Sequence, residues 1–391
     1  MLNSRLKIKT EVFFMLAYDM FLVQGIISTS LLAGLAYGIT QKVLVVIEIL
    51  MLIYVELRNK KIKQSEMWMA ATCIGLFFLC YMRNPIELAV MYLFIFSARK
   101  FSFKRIAQHT CVITLVLLFV VVGLSKIGMI RDIVFEGYRH TLGFRYVLFP
   151  ASLFLNVVLL LAYLSRNYMS CIEITLLALG NTYLLLNCHS ALSCGLTYIA
   201  LVYLVICRLN TYFKQKISLL TIKPIFKYVF LLCIICSIIV VFLYNKDPSK
   251  FAYLDKLISG RLALTVLAFS DYPVSLFGNT INWIGNGVDQ FGNSYLSSSD
   301  VYYYIDNAYF NVLLEQGVIY FISIWGLYSV GTVKLYKNKD NLLFAILVII
   351  AVYFLIDNLK LALIYNTFWI VIVKSVLGFS MNSNLKSVKK Q

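Results

Sequence analysis

Residues 229–244 read Val229-Phe230-Leu231-Leu232-Cys233-Ile234-Ile235-Cys236-Ser237-Ile238-Ile239-Val240-Val241-Phe242-Leu243-Tyr244, without one charged side chain. With its flanks (227–244) this run is long enough to cross a hydrocarbon core about 30 Å thick. It is continuous rather than alternating, so the backbone must close its hydrogen bonds within the segment, as a helix. Residues 245–307 differ in kind: they carry Lys246, Lys250, Lys256 and Arg261 beside Asp247, Asp255, Asp271, Asp289, Asp300 and Asp306. Gly278 to Ser299 is rich in Gly, Asn and Ser, 254–270 reads as an amphipathic helix, and Tyr302, Tyr303 and Tyr304 form an aromatic run. A span leading into a long, aromatic-rich loop is the pattern that decides the fold.

On either side of this pair, similar apolar runs recur at 11–33, 42–57, 67–82, 86–98, 107–125, 147–164, 170–187, 191–207, 308–333, 341–357 and 361–379. The chain is 61% hydrophobic and 14% charged, and its mean hydropathy is +0.83, too little polar surface for a soluble domain of 391 residues. The expected fold is all-α: a polytopic transmembrane bundle of about twelve spans forming a single domain over 1–391, with 245–307 as one long, partly helical extracytoplasmic loop. No fixed-period repeat and no two-half symmetry is visible.

A net charge of +17 would suggest nucleic acid in a soluble protein. Here the basic residues cluster between spans. With the N-terminus inside, 24 of the 35 Lys and Arg fall on the cytoplasmic side, so both termini are expected there and no nucleic-acid partner is expected. Nine cysteines sit in or beside apolar runs and none lies in the long loop, so they read as small buried hydrophobes rather than a disulfide framework. The basic start (Arg5, Lys7, Lys9) leads straight into a span, without a cleavable leader pattern.

Three clusters bear chemistry. Arg261, in Ile258-Ser259-Gly260-Arg261-Leu262, offers fixed donors suited to phosphate oxygens, against the plain reading of an exposed loop arginine or one paired with Asp255. Arg139, His140 and Arg145, in Tyr138-Arg139-His140-Thr141-Leu142-Gly143-Phe144-Arg145, suit an anionic ligand or, equally, lipid headgroups. Asp306 and Asn307 precede Ala308-Tyr309, where they can cap the next helix or, for Asp306, accept a proton or orient a hydroxyl. Within the spans, Asp19, Gln24, Glu48, Glu87, Glu173 and His189 are costly in lipid and are expected to face the interior. His189 near Cys188 and Cys194 is read as packing, and no metal site is expected. There is no phosphate-binding Gly-rich loop, no HExxH, no GxSxG elbow and no paired-Asp nucleotide-sugar motif.

Taken together, Ser259-Gly260-Arg261-Leu262, Tyr272-Pro273-Val274-Ser275-Leu276-Phe277-Gly278, Asp306-Asn307-Ala308-Tyr309 and Gln316-Gly317 form an ordered series that resembles the long-loop pattern of Wzy-type polysaccharide polymerases, which are similar in layout to O-antigen ligases. Arg139-His140-Thr141-Leu142-Gly143-Phe144 resembles that family's earlier loop. Two departures stand out: Arg145-Tyr146-Val147-Leu148 replaces a Pro-Asn pair, and His189-Ser190-Ala191-Leu192 stands where many members have Ser-Arg. The resemblance implies a cofactor- and metal-independent transferase in the bacterial plasma membrane. It would move a growing glycan from undecaprenyl pyrophosphate onto a lipid-linked repeat unit, working beside a flippase and a chain-length regulator. It implies Arg139, Arg145 and Arg261 on the pyrophosphate, and Asp306 as base or hydroxyl orienter with Asn307 and Tyr309 in support. His140 is an alternative base. Competing expectations are a lipid-linked oligosaccharide flippase or other transporter, a ligase-like transferase, and an accessory membrane protein.

Overall fold

The computed structural model describes residues 2–35, 39–58, 62–165, 169–212, 224–296, 301–338 and 340–381. Arg166, Ser297 to Ser299 of the Gly/Asn/Ser-rich stretch, and the basic tail with Lys386, Lys389 and Lys390 lie outside them. The protein is mostly helical. Among the described residues, six helical stretches are long and apolar enough to cross a membrane: Thr10–Ser28, Phe103–Lys126, Cys171–Cys188, Ala191–Leu209, Pro224–Lys246 and Val318–Lys337. Phe149–Ser165 and Asn341–Tyr353 are shorter apolar helices. The all-α class is therefore observed, with six such helices rather than twelve. The difference arises partly because apolar runs at 86–98 and 361–379 are broken into short helices, Ile86–Ala89, Met91–Ser97 and Trp369–Leu377.

The helices are α1 Leu2–Ser28, α2 Ile39–Leu57, α3 Gln64–Tyr81, α4 Ile86–Ala89, α5 Met91–Ser97, α6 Phe103–Lys126, α7 Phe149–Ser165, α8 Cys171–Cys188, α9 Ala191–Tyr212, α10 Val229–Lys246, α11 Pro248–Leu257, α12 Arg261–Asp271, α13 Ala308–Asn311, α14 Val318–Lys337, α15 Asn341–Tyr353 and α16 Trp369–Leu377. Strands β1 Val134–Phe135 and β2 Arg139–His140 form a two-residue antiparallel hairpin. The chain divides into two compact units: Met1–Gln215 with Gln290–Gly292 and Ala362–Gln391, and Lys216–Asp289 with Asn293–Leu361.

In the first unit, α7 is the core. It packs on α6, α8 and α9, and most of its side chains are buried. Its one amide, Asn156, is fully buried and satisfied: Nδ2 donates to Thr367 Oγ1 at 3.1 Å and to the Ile364 carbonyl at 3.3 Å, while Oδ1 accepts from the Thr367 N–H. A second buried polar knot forms where the ends of α2, α3, α5 and α16 meet. Arg99, wholly buried, donates two bonds of 2.7 Å to Glu56 and one of 2.9 Å to Glu66; the Lys374 ammonium donates to the carbonyls of Arg99 and Phe101. Arg99 stays charged there because Glu56 and Glu66 pair with it, and Lys374 is satisfied by backbone carbonyls. In the second unit, α10 leaves Leu231, Leu232, Ile235, Ile238, Ile239 and Phe242 exposed, an apolar stripe on a helix whose buried residues are few.

Candidate functional site

The site in the second unit begins with a break in helix geometry. Ser259 and Gly260 both adopt left-handed backbone, at φ 60° and 77°, so the single amphipathic helix expected over 254–270 is two helices, α11 and α12. Gly takes that conformation freely and Ser only at some cost. The turn makes Arg261 the first residue of α12. Asp255, one alternative partner for Arg261, is engaged elsewhere: its Oδ1 accepts the Leu262 N–H at 2.8 Å and its Oδ2 accepts the Tyr244 hydroxyl. Asp255 therefore caps α12 across the turn.

Arg261 reaches instead to Asp306. Its Nε–H donates to Oδ2 at 2.8 Å, and the Tyr302 hydroxyl donates to the same oxygen at 3.2 Å. Asp306 thus takes Nε of Arg261, whose side chain is 25% exposed. The forked terminal amino groups are held in place by a bond that does not use them. Asp306 is nearly buried. Burial pushes its carboxyl above the usual carboxylate range, against the opposing pull of Arg261. Burial opposes the Arg261 charge, and the carboxylates of Asp306 and Asp357 outweigh it and raise its pKa.

Asp357 and Lys360 extend the cluster from the link between α15 and α16. Both are buried. Asp357 Oδ1 accepts the Leu359 N–H at 2.8 Å, and the Asp357 charge helps to raise the pKa of the Arg261 guanidinium. Burial lowers the Lys360 ammonium to about 7, and that group lies 5.1 Å from the Tyr353 ring centre. Two carboxyls thus stand beside Arg261 and Lys360 in a poorly solvated setting.

The neighbouring residues hold this cluster still. Asn307 is the N-cap of α13: Oδ1 accepts from the N–H groups of Tyr309 and Phe310, and Nδ2 donates to the Leu355 carbonyl and the Ser237 hydroxyl. Tyr309 is buried against Trp325, ring centres 4.4 Å apart, with its hydroxyl donating to the Ala351 carbonyl. Both are anchors of the Asp306 backbone. After α13 the chain makes a π-helical turn at Val312–Gln316 and ends it at Gly317, φ 89°. Gly278, φ 77°, lies against that turn, where a β-carbon would come 2.0 Å from the Glu315 carbonyl oxygen. A β-carbon on Gly317 would meet the Gly278 nitrogen at 2.3 Å. Asn279 adds bonds from N and Nδ2 to the Leu314 carbonyl, and Val318 N–H donates to the Ser275 carbonyl. The Tyr272 to Gly278 stretch is thereby locked to the start of α14. Beside it, Trp283 packs on Tyr303 and Tyr304 and donates to Glu315 at 2.9 Å.

The earlier cluster belongs to the first unit. His140 Nδ1 lies 2.8 Å from Asp132 Oδ2, and Asp132 Oδ1 accepts the Leu142 N–H, so the imidazole is oriented through a carboxylate fixed to the backbone. Arg139 faces Glu136 at 3.5 Å, with its Nε buried and without a hydrogen bond among the described residues. Arg145 donates from Nη1 to the Ser28 carbonyl and from its N–H to the Thr29 carbonyl, tying the loop to the end of α1. Gly143, φ 84°, has no room for a β-carbon beside Ile130 and Ser125.

Other polar residues singled out from the sequence have local roles. Asp19 pairs with His109 at 3.0 Å. Glu173, expected to face the interior, is exposed and completes a capping box with Ser170 at the start of α8. His189 ends α8 in left-handed backbone with its ring edge-on to Tyr138. Glu48 is fully buried, and neither carboxylate oxygen has a hydrogen-bond partner among the described residues. Sequence reasoning missed Tyr302, Asp132, Asp357 and Lys360 as site residues. The available signals were the four-residue spacing of Tyr302 and Asp306, and the two charges bordering apolar runs at 357 and 360. Comparisons with protein-family models, with curated proteins and with solved structures find no match.

Proposed function

We propose that this chain is an oligosaccharide repeat-unit polymerase of the bacterial plasma membrane, with about a dozen spans, both termini in the cytoplasm and residues 245–307 on the outer face. The reading rests on one observation above all: Arg261 is fixed through Nε by Asp306, and its terminal fork is left for a ligand. A guanidinium so held suits the oxygens of a pyrophosphate. In the proposed reaction, the terminal hydroxyl of an undecaprenyl-pyrophosphate-linked repeat unit attacks the anomeric carbon of the glycan donor. A new carbon–oxygen bond forms there as the bond to pyrophosphate breaks. The hydroxyl proton passes to Asp306, and the charge growing on the departing pyrophosphate meets the Arg261 fork. That charge is larger in the transition state than in the ground state, so the contact accelerates the step. Trp283 and Tyr303 supply aromatic faces for sugar rings.

The deciding experiment is a gel of surface glycan from a strain lacking the gene. Loss of a polymerase leaves single repeat units at the surface. Loss of a flippase traps them inside, and that result would sink the proposal. An intact ladder of polymer with loss of transfer to its final acceptor would indicate a ligase.

A further inference from the structure

Helix α11 carries a face that the site does not use. On α11, Ser249, Lys250, Tyr253, Lys256 and Leu257 lie within about 60° of one direction on the helical wheel at 100° per residue, and Lys246 ends α10 just before the break at Asp247. All are exposed, Tyr253 to 81% and Leu257 to 68%. The acids of the same segment turn away from that face or are engaged locally. Asp255 accepts from Leu262, Ala263 and Tyr244. Asp247 accepts from Ser249 and Lys250 across one turn. The Lys246, Lys250 and Lys256 ammonium groups are exposed around an aromatic and an aliphatic side chain, with Lys250 also bridged to Asp247 at 2.9 Å.

Its height is set by continuity with a span. Pro224–Lys246 is the most apolar membrane-crossing stretch among the described residues, and α11 starts two residues after it. The Tyr244 hydroxyl holds Asp255, so the middle of α11 is tied to the last turn of α10 rather than extending away from it. Phe242 and Leu243, on that last turn, are themselves exposed.

We propose that α11 is an interfacial helix whose exposed face docks on anionic phospholipid headgroups of the leaflet in which α10 ends. Tyr253 and Leu257 enter the boundary between headgroups and acyl chains. Lys246, Lys250 and Lys256 meet the lipid phosphates. Because Asp255 and the 259–260 turn connect α11 to Arg261, the lipid surface then fixes the depth of that arginine.

The test uses the full chain with the two exposed cysteines replaced (Cys171→Ser, Cys236→Ser) and Tyr253→Cys carrying an NBD fluorophore. The protein is reconstituted in phosphatidylcholine vesicles with or without phosphatidylglycerol. With phosphatidylglycerol, the label is expected to emit at shorter wavelength, to be quenched by a shallow doxyl lipid and to be shielded from iodide. Replacing Lys250 and Lys256 by Gln should lower the ratio of lipid-exposed to water-exposed label roughly fivefold per lysine on those vesicles. A label equally open to iodide in both vesicle types would overturn the proposal. So would lipid quenching indifferent to phosphatidylglycerol and to the lysine changes.

Discussion

The Nε–H of Arg261 donates to Oδ2 of Asp306 at 2.8 Å across 45 residues of chain. This bond does two things at once. It orients a guanidinium that would otherwise sweep through solvent, and it compensates a carboxylate that is nearly buried.

If the fork of Arg261 stabilises a departing pyrophosphate, Arg261→Ala should lower chain extension by roughly 10²- to 10³-fold. Membrane abundance should be unchanged. Arg261→Lys should do little better, because one ammonium cannot both hold Asp306 and present a planar fork. Surface-glycan gels alongside immunoblots of the same membranes check this, and full-length polymer from the Ala variant would refute it.

The pH dependence is set by the sign of the Asp306 shift. Asp306 accepts a proton only when ionised, and burial raises its pKa from the ordinary carboxylate value. Extension should therefore fall as pH drops through a range above that of a free carboxylate. Arg261 and the Tyr302 hydroxyl pull the Asp306 carboxyl down against that burial. Removing the hydroxyl in Tyr302→Phe should therefore move the acid limb to higher pH. A pH series on membrane vesicles making polymer in vitro measures the limb, and an unmoved limb in Tyr302→Phe would disconnect the two groups.

The contact between Gly278 and the turn at Glu315 and Gly317 tolerates no side chain. Gly278→Ala and Gly317→Ala should each destabilise the second unit by roughly 3 kcal/mol or more, seen as lost protein and rapid proteolysis. Gly326→Ala, on α14 with open space around it, should be close to neutral.

The buried knot around Arg99 makes an independent stability prediction. Arg99→Ala leaves Glu56 and Glu66 without their main partner and should cost about 3–5 kcal/mol. Glu48 is the opposite case. It lies on the buried stripe of Val45, Leu52 and Val55 with both oxygens unbonded among the described residues. Glu48→Leu should raise the thermal midpoint of the protein in detergent, by an amount worth roughly 1–3 kcal/mol. A fall would show that this carboxyl has a stabilising partner.

The membrane class and helical fold were legible in the sequence because hydrocarbon imposes one requirement on every span: a long uncharged run that closes its own hydrogen bonds. Pro224–Lys246 satisfies it by composition alone. Arg261 and Asp306 were likewise visible as candidates, charged residues of the long loop, and Gly278 and Gly317 only as members of the resembling series. Their pairing was not. Asp255 was the nearer partner in sequence for Arg261, and only the left-handed turn at Ser259 and Gly260 turned Arg261 away from it toward Asp306. Asp357 and Lys360 sit at the borders of apolar runs, where sequence marks them as costly and cannot say what they face. Periodicity reports which side chains leave water; which buried charges meet depends on where separate segments stop and turn, and that only the tertiary structure decided.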